Sequence, residues 1–325
     1  MKKYDIKLYS ETDFDNWNNF VATTANGTFL HNRNFMDYHS DRFRDYSFMI
    51  FDDEKTVAVL PANIAENQIF SHHGLTYGGL LYSEKLKLGE VLIIFQMILK
   101  FLNDNKIEKL TLKTIPAIYH KKPADEINYA LFLTNAKIIR SDCLSVIDLQ
   151  KSFFISKTRR ESIRRGQKNN LEIREDSNFE GFWNAILIPN LEAKHQAKPV
   201  HSLEEIIKLQ KLFPKNIRHF NVYFNDKIVA GSTIFITDSV AHPQYISGQE
   251  DKNQLGSLDF LYDFLINECF NDKPFFDFGP SHENNGKQIN QGILFWKESF
   301  GASTISQPHY EIETKNFGLL DNILI

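Results

Sequence analysis

A lysine and a short run of acidic and small residues near the end of the chain have the types that acyl transfer to an amine requires. Lys297 directly follows Trp296, and Asp277, Gly279 and Ser281 precede them. A fixed ammonium group stabilises the oxyanion that forms when an amine attacks an acyl carbonyl group. In the structural alternative, the lysine stem is buried and its head remains in water. We predict a catalytic role for Lys297.

The residues before this lysine predict a buried strand that ends at a ligand site. The run 275–278 is apolar except for Asp277, and it continues into Gly279, a proline and Ser281. A buried strand that ends in small and polar residues is where an open α/β sheet usually places its ligand. Asp277 is either tied to backbone amides or orients the amine, and Ser281 is predicted to shape the cleft.

An amphipathic helix is predicted just before that strand, over 256–270, because its apolar residues recur at helical spacing. The helix opens with Gly256 and Ser257. Free backbone N–H groups at such a start can hold the phosphate of a cofactor, so both residues are candidate cofactor-binding residues. The alternative is an ordinary helix cap.

The segment 156–169 predicts a basic helix that connects two domains. Thr158 and Glu161 form a possible capping box, and six cations lie within 157–168 of a chain whose formal net charge is −4. Arg159, Arg160 and Arg164 are candidate ligands for an anion. The alternatives are a solvated connector face and an RNA-binding surface.

The two halves of the chain predict one unit used twice. Each half has two helical segments, then three strands, a helix and a strand, and each contains Lys-x-Val-Ala, at 55–58 and 227–230. The first-half strands include 75–82. We predict an α/β fold of two domains, 1–150 and 151–325, each with a mixed, mainly antiparallel sheet flanked by helices.

Composition and motif searches exclude several function classes. The 325 residues are 42% hydrophobic and 24% charged, as in a soluble globular protein, and the net charge argues against non-specific DNA binding. The adjacent His72 and His73, on a predicted strand, would point to opposite faces. No His-Glu-x-x-His or Cys-x-x-Cys spacing occurs, so no metal site is predicted.

The cysteines and the apolar runs predict a reduced, cytoplasmic protein. Cys143 and Cys269 lie far apart among apolar residues and are expected to be buried thiols. The N-terminus lacks the apolar core of a signal peptide, and the longest apolar run, 91–102, is too short to cross a bilayer. The oligomeric state, monomer or dimer, is left open.

The chain resembles the Fem-type and related acyltransferases of the GNAT superfamily. Three segments carry the resemblance: Asp277-Phe278-Gly279-x-Ser281 with Gly292-x-x-x-Trp296-Lys297-x-x-Phe300-Gly301; the basic segment 157–171; and the loop 73–80, with His73 and Tyr77. The resemblance covers essentially the whole chain in element order. It implies two tandem GNAT-like domains and transfer of an acyl group to an amine.

The resemblance also implies the candidate substrates and their ligands. Lys297 matches the lysine of the family's aromatic-lysine pair, and Trp296 stands where phenylalanine is usual. The donor is a co-substrate rather than a tightly bound cofactor: acetyl-CoA, another acyl-CoA or an aminoacyl-tRNA. The expected acceptor is a primary amine of a cell-envelope precursor or amino sugar, bound by Trp296, Gly279, His73, Tyr77 and the basic segment. The alternative is a non-catalytic protein that binds a phosphorylated or nucleotide-linked ligand.

Overall fold

The computed structural model describes residues 3–323, except for the side chain of His195; Met1, Lys2, Leu324 and Ile325, at the ends of the predicted domains, lie outside the described residues. The chain forms two compact units. Unit 1 contains the described residues up to Asp142 and those from Ser306 onward, and unit 2 is Cys143–Ile305.

The first half of the chain contains four α-helices and eight strands among its described residues. The strands are β1 (Tyr4–Leu8), β2 (Phe48–Asp52), β3 (Lys55–Leu60), β4 (Asn63–Ala65), β5 (Gln68–Ser71), β6 (Leu81–Tyr82), β7 (Lys109–Lys113) and β8 (Lys137–Asp148). The helices are α1 (Phe14–Ala22), α2 (Arg33–Met36), α3 (Leu88–Asp104) and α4 (Glu126–Leu133).

The second half begins with the basic helix, and its last strand is long. The helices are α5 (Lys157–Lys168), α6 (Phe179–Phe182), α7 (Ile188–His195), α8 (Leu203–Leu212), α9 (Lys252–Leu255), α10 (Ser257–Phe264) and α11 (Gln291–Glu298). The strands are β9 (Glu172–Glu175), β10 (Ile217–Phe224), β11 (Lys227–Ile236), β12 (Val240–Gly248), β13 (Phe275–Pro280), β14 (His282–Glu283), β15 (Gln288–Ile289) and β16 (Ser303–Glu313).

Each unit contains a mixed sheet with one parallel pair of strands. In unit 1, β5 lies parallel to β7, which pairs antiparallel with β16; β1, β2, β3 and β6 form an antiparallel sheet. In unit 2, the order is β8-β13-β12-β11-β10-β9, and only β12 and β13 are parallel among the described pairs. The predicted α/β fold with mainly antiparallel sheets is therefore confirmed.

The two copies of Lys-x-Val-Ala have the same irregularity. In unit 1 the pairing of β2 with β3 skips Val57, and in unit 2 the pairing of β10 with β11 skips Val229. A bulge of this kind leaves one residue outside the register and increases the local twist. Because the extra residue is the same member of the motif in both units, the short sequence repeat reflects a repeated local structure.

A buried tryptophan gives the units a second common feature. The indole N–H of Trp17 donates to the carbonyl of His31 at 2.8 Å, and that of Trp183 donates to the carbonyl of His201 at 3.4 Å. Both indole rings are fully buried, so each N–H needs an internal acceptor. In each unit this bond connects the first helical segment to the residues just before the second.

The division of the chain differs from a boundary at 150/151, because two strands pair out of chain order. The last part of β8 pairs with β13, so unit 2 begins at Cys143. The strand β16 pairs with β7, Tyr310 opposite Leu112, so the chain from Ser306 onward belongs to unit 1.

Three local predictions are wrong. Of the strand predicted over 75–82, only β6 forms, and His72 and His73 are not in a strand. The backbone here packs too closely for a regular strand: a Cβ atom on Gly74 would lie 2.0 Å from the His39 ring, and one on Gly78 would lie 2.1 Å from the Ser71 carbonyl oxygen. The predicted capping box of Thr158 and Glu161 does not form at the start of α5. Instead, the Ser156 hydroxyl caps this helix by accepting a hydrogen bond from the Arg159 N–H.

The prediction that both cysteines are buried is wrong for Cys143, which is exposed; Cys269 is half-buried. In β8, Cys143 lies between buried Asp142 and buried Leu144. Successive side chains of a strand point to opposite faces, so this position faces outward although its neighbours are buried.

Close contact between two helices of unit 2 depends on glycine. A Cβ atom on Gly166 of α5 would lie 2.5 Å from the Cβ atom of Phe260 in α10, and one on Gly256 would lie 2.4 Å from the carbonyl oxygen of Ser162. Gly256 also has a φ of +73°, which favours glycine. Both glycines therefore allow the α5 backbone to lie against the start of α10.

We expect Gly166→Ala to destabilise the protein although alanine favours helices. The gain in helix propensity is about 1 kcal/mol, and overpacking a tight contact costs about 1–3 kcal/mol. Gly292→Ala in α11 is the matched control, because its Cβ atom would meet nothing closer than 3.6 Å. Urea denaturation should show a lower free energy of unfolding for the first variant only; equal values would contradict the packing argument.

Candidate active site

The ammonium group of Lys297 is buried at the end of β13. Lys297 lies in the last turn of α11 and is 3% exposed. Its Nζ donates to the carbonyl oxygen of Gly279 at 2.9 Å and to that of Pro280 at 2.7 Å. An ammonium group has three N–H donors, so one remains without an acceptor among the described residues.

Burial lowers the pKa of Lys297 from 10.5 to about 8, and the nearby Asp277 carboxylate partly opposes this shift. The lysine is thus still mostly protonated at neutral pH, while its ammonium form is only weakly favoured. A cation that is already desolvated interacts strongly with a negative charge that develops beside it.

Asp277 closes a tight turn at the end of the same strand. It is 1% exposed, and its Oδ1 accepts a hydrogen bond from the Gly279 N–H at 2.7 Å. Gly279 has a φ of +73°, and the pairing of β13 with β8 shifts register between Asp277 and Pro280. The carboxylate therefore stabilises the bend that presents the Gly279 and Pro280 carbonyl groups to Lys297.

The structure adds His242, which the sequence analysis missed, to these residues. Its Nδ1 lies 2.8 Å from the backbone oxygen of Asp277 and 3.6 Å from the Asp277 Oδ2 atom. Its ring also packs on Gly279, where a Cβ atom would lie 3.1 Å from the His242 Cε1 atom. No motif in the sequence marks this histidine; the pairing of β12 with β13 places it.

The strands β12 and β13 diverge at this point. Their last paired residues in the described chain are Ala241 and Phe276, although both strands continue. The pairing of β11 with β12 skips Gln244 just beyond, which is a β-bulge. Ligands bind in crevices at the ends of parallel strands, and bulges are frequent beside active sites. His242 and Asp277 are the first residues past the point of separation.

Ser281 adds a buried hydroxyl group that has no partner. It is 6% exposed, and its Oγ makes no hydrogen bond to any group in the described part of the chain. Its backbone oxygen accepts from the N–H of Asn290, which caps α11. A buried polar group without a partner is costly, and a bound ligand or water normally satisfies it.

Two predicted substrate-binding residues are joined by an aspartate that the sequence analysis missed. Asp259 of α10 accepts from the Arg159 guanidinium at 2.5 Å and from the Trp296 indole N–H at 2.7 Å. Arg159 also donates to the Ser299 hydroxyl at 3.1 Å. These bonds connect α5, α10 and α11, so Arg159 and Trp296 hold the helix that carries Lys297.

The other cations of α5 face outward. Arg160, Arg164, Arg165 and Lys168 are exposed, and none has an acidic partner among the described residues; the Arg160 guanidinium lies 5.1 Å from the Phe154 ring centroid. The buried side of α5 contains Ser162, Ile163 and Gly166. Of the three predicted arginines, Arg160 and Arg164 are therefore the ones free to meet an anion.

The predicted cofactor-binding pair, Gly256 and Ser257, lies at the start of α10 beneath α5. The Gly256 N–H donates to the Lys252 carbonyl group, and the glycine packs against Ser162. Ser257 is fully buried, and its hydroxyl has no partner in the described chain. Gly256 therefore has a packing role; binding of a cofactor by either residue remains a prediction.

His73 and Tyr77 lie in unit 1. The His73 ring stacks on Phe70 with centroids 3.8 Å apart, and its backbone N–H donates to the Asn63 side chain. Tyr77 is buried, and its hydroxyl donates to Thr28 at 3.1 Å. Both have structural partners, and their predicted role in substrate binding remains a prediction.

Neither a metal site nor a membrane-spanning helix is found among the described residues. No group of three or more His, Cys, Asp or Glu side chains in residues 3–323 could hold a metal ion. Over the same residues, every helix is too short or too polar to cross a membrane.

Comparison with solved structures identifies the fold. FemX matches with a TM-score of 0.67 at 8% sequence identity, over 98% of this chain and 99% of that chain. L-PGS from Bacillus licheniformis matches with a TM-score of 0.56 at 11% identity, over 85% of this chain and 86% of that chain.

A third similar structure is the C-terminal domain of a putative lysylphosphatidylglycerol synthetase from Agrobacterium fabrum, with a TM-score of 0.54 at 12% identity, over 81% of this chain and 82% of that chain. No protein-family model matches the sequence, and no curated protein matches it by sequence. The predicted Fem-like fold is thus confirmed as a fold.

The lowered pKa of Lys297 predicts a pH-dependent stability difference. Below pH 8 the folded protein carries the full cost of the buried charge, about 3 kcal/mol. Between pH 8 and 10.5 the unfolded state binds this proton more tightly, so the contribution of Lys297 to the free energy of unfolding rises with pH. We expect the stability of wild type relative to Lys297→Met to rise by up to about 3 kcal/mol over this window.

Urea denaturation of both proteins at pH 7 and pH 10 measures this difference. Lys113→Met is a second example, because burial also lowers the pKa of Lys113 to about 8 and its Nζ donates to the Leu75 carbonyl group. A difference between wild type and Lys297→Met that does not change with pH would show that the ammonium group is not desolvated.

Proposed function

We propose that this protein is an N-acyltransferase that moves an acetyl or aminoacyl group to a primary amine of a cell-envelope precursor or amino sugar. The observation that carries the proposal is the buried Lys297 ammonium group, with one donor unused, at the point where β12 and β13 separate. Such a donor can stabilise the oxyanion of a tetrahedral intermediate.

The neighbouring residues fix the geometry of this site. Asp277 holds the turn that fixes the two carbonyl groups bound by Lys297, and Ser281 offers an unused hydroxyl group to a substrate. Arg159 and Trp296 hold α11 in place through Asp259. A positioned amine can attack an ester or thioester directly, so no covalent enzyme intermediate is required.

The donor is an acyl-CoA or an aminoacyl-tRNA, used as a co-substrate. The name lysylphosphatidylglycerol synthetase, which one similar structure bears, denotes the attachment of an aminoacyl group and is compatible with the second donor. The exposed cations Arg160 and Arg164 suit a phosphate on the acceptor, because phosphate contacts depend on cations free of acidic partners.

Replacement of Lys297 tests the catalytic proposal. We expect Lys297→Met to lower kcat for acyl transfer by about 100-fold, the effect of losing one oxyanion donor, in assays with acetyl-CoA and with aminoacyl-tRNA. Lys113→Met is the matched control, since it removes from unit 1 a lysine whose pKa burial also lowers to about 8. Equal turnover of wild type and Lys297→Met would remove Lys297 from the mechanism.

Charge reversal of the basic helix tests the acceptor site. We expect Arg160→Glu/Arg164→Glu to raise KM at least about tenfold for a phosphate-bearing amine acceptor, because each lost charge-assisted contact is worth about 1.5–3 kcal/mol, and to leave KM unchanged for an acceptor without phosphate. Lys208→Glu/Lys211→Glu on α8 is the control with the same change in net charge, also at exposed positions. A rise in KM for both acceptors, or with the control variant, would contradict phosphate binding by α5.

Binding without turnover is the outcome that favours a different function. If wild type binds a nucleotide-linked amine tightly in calorimetry but transfers no acyl group from either donor, the protein is a binding protein on this fold.

A further inference from the structure

His242 has the hydrogen-bonding arrangement of a general base. Its Nδ1 lies 2.8 Å from the backbone oxygen of Asp277, and a carbonyl oxygen can only accept. Nδ1 must therefore carry the proton that is donated. In a neutral imidazole the other nitrogen, Nε2, then has a free lone pair.

That second nitrogen has no protein partner. The His242 side chain is 13% exposed, and no group in the described part of the chain hydrogen-bonds its Nε2. His219 of the same unit shows the contrast: its Nδ1 faces the Thr233 hydroxyl at 2.9 Å and its Nε2 faces the Asn221 side chain at 3.1 Å. Both nitrogens of His219 are used in structure, and only one nitrogen of His242 is.

The surroundings of His242 fit a group that gains a positive charge during the reaction. The Asp277 Oδ2 atom lies 3.6 Å from Nδ1, where a carboxylate stabilises an imidazolium ion. His242 and Lys297 also contact the same residue, Gly279: the imidazole packs on its Cα, and the ammonium group binds its carbonyl oxygen. The proposed oxyanion donor and a basic nitrogen thus flank one glycine just past the point where β12 and β13 separate.

We propose that His242 is the general base of the acyl transfer and that Asp277 positions it. This inference rests on the proposed function. Nε2 of His242 takes a proton from the substrate ammonium group, and the resulting amine nitrogen forms a bond to the acyl carbon. The carbon–sulfur or carbon–oxygen bond to the donor then breaks, the leaving group takes the second N–H proton, and His242 returns its proton to water.

Lys297 is a poorer candidate for this base. Two of its N–H groups are donated to carbonyl oxygens, and only the charged ammonium form has a third N–H group to give to the acyl oxygen. Deprotonation would remove that third donor. The two residues therefore divide the chemistry, with the lysine acting on the acyl oxygen and the histidine acting on the amine.

His242→Asn separates a base from a structural donor. The asparagine side-chain amide can still donate to the Asp277 carbonyl group but has no basic atom. We expect kcat to fall by about 100-fold or more, the usual effect of losing a general base, while calorimetric binding of acetyl-CoA or of the amine acceptor is unchanged. Turnover of His242→Asn at the wild-type rate would overturn the proposal.

Added imidazole provides a readout that a purely structural role would not move. In His242→Ala, imidazole in solution should enter the space left by the side chain and raise the rate at least about tenfold, because general-base catalysis needs only a positioned basic nitrogen. A rate of His242→Ala that is independent of imidazole would count against the base.

A spectroscopic test does not depend on turnover. Nitrogen NMR of wild type at a pH where His242 is neutral should show a proton on Nδ1 and none on Nε2; the opposite tautomer would overturn the proposal. If wild type transfers no acyl group from either donor, the proposed function fails, and the tautomer still decides whether His242 has a free basic nitrogen. If wild type is active and His242→Asn is equally active, only the inference about His242 fails.

Discussion

The site depends on the burial of one ammonium group against two carbonyl oxygens. Lys297 could not remain charged at 3% exposure without acceptors, and the Gly279 and Pro280 carbonyl groups supply them. Those carbonyl groups point to the lysine because Asp277 stabilises a glycine turn at the end of β13. The lysine, the turn and the carboxylate therefore form one interdependent arrangement, and its cost is visible in the lowered pKa of Lys297.

The rest of unit 2 keeps this arrangement in position. The helix α11 is connected to α10 through Trp296 and Asp259, and Asp259 binds Arg159 of α5. The close approach of α5 to α10 requires Gly166 and Gly256. Arg159 was predicted to bind a substrate because it is a cation. In the structure it affects the site by connecting α5 to α10, which in turn holds α11.

The two units have the same local features but place their lysines on different elements. The bulge in Lys-x-Val-Ala and the tryptophan-to-carbonyl bond occur in both units. Both units also contain a parallel strand pair and a lysine that donates to a backbone carbonyl group. The lysine of unit 1 is on a strand and that of unit 2 is on a helix, so the common architecture does not by itself place the charged group.

The sequence by itself determined the elements whose signals are local. The amphipathic helix that contains α10, the basic helix and the buried strand at Asp277 follow from apolar periodicity and from charge spacing. The same signals marked Lys297, Asp277 and Ser281 as candidate site residues, since a polar residue among apolar neighbours can be recognised from the sequence alone. They failed at 75–82, where glycines allow a packed loop that an apolar run alone does not distinguish from a strand.

Tertiary structure decided what depends on pairing between distant segments. The positions of β8 and β16 follow from strand pairs that are far apart in the chain, so no local pattern could indicate where each unit ends. His242 lies beside Asp277 only because β12 and β13 are parallel up to Ala241 and Phe276 and then separate. Asp259 likewise meets Arg159 and Trp296 only when three helices pack. Residue type can be read from the sequence, whereas the partner of each charged group is set by which backbones the fold brings together.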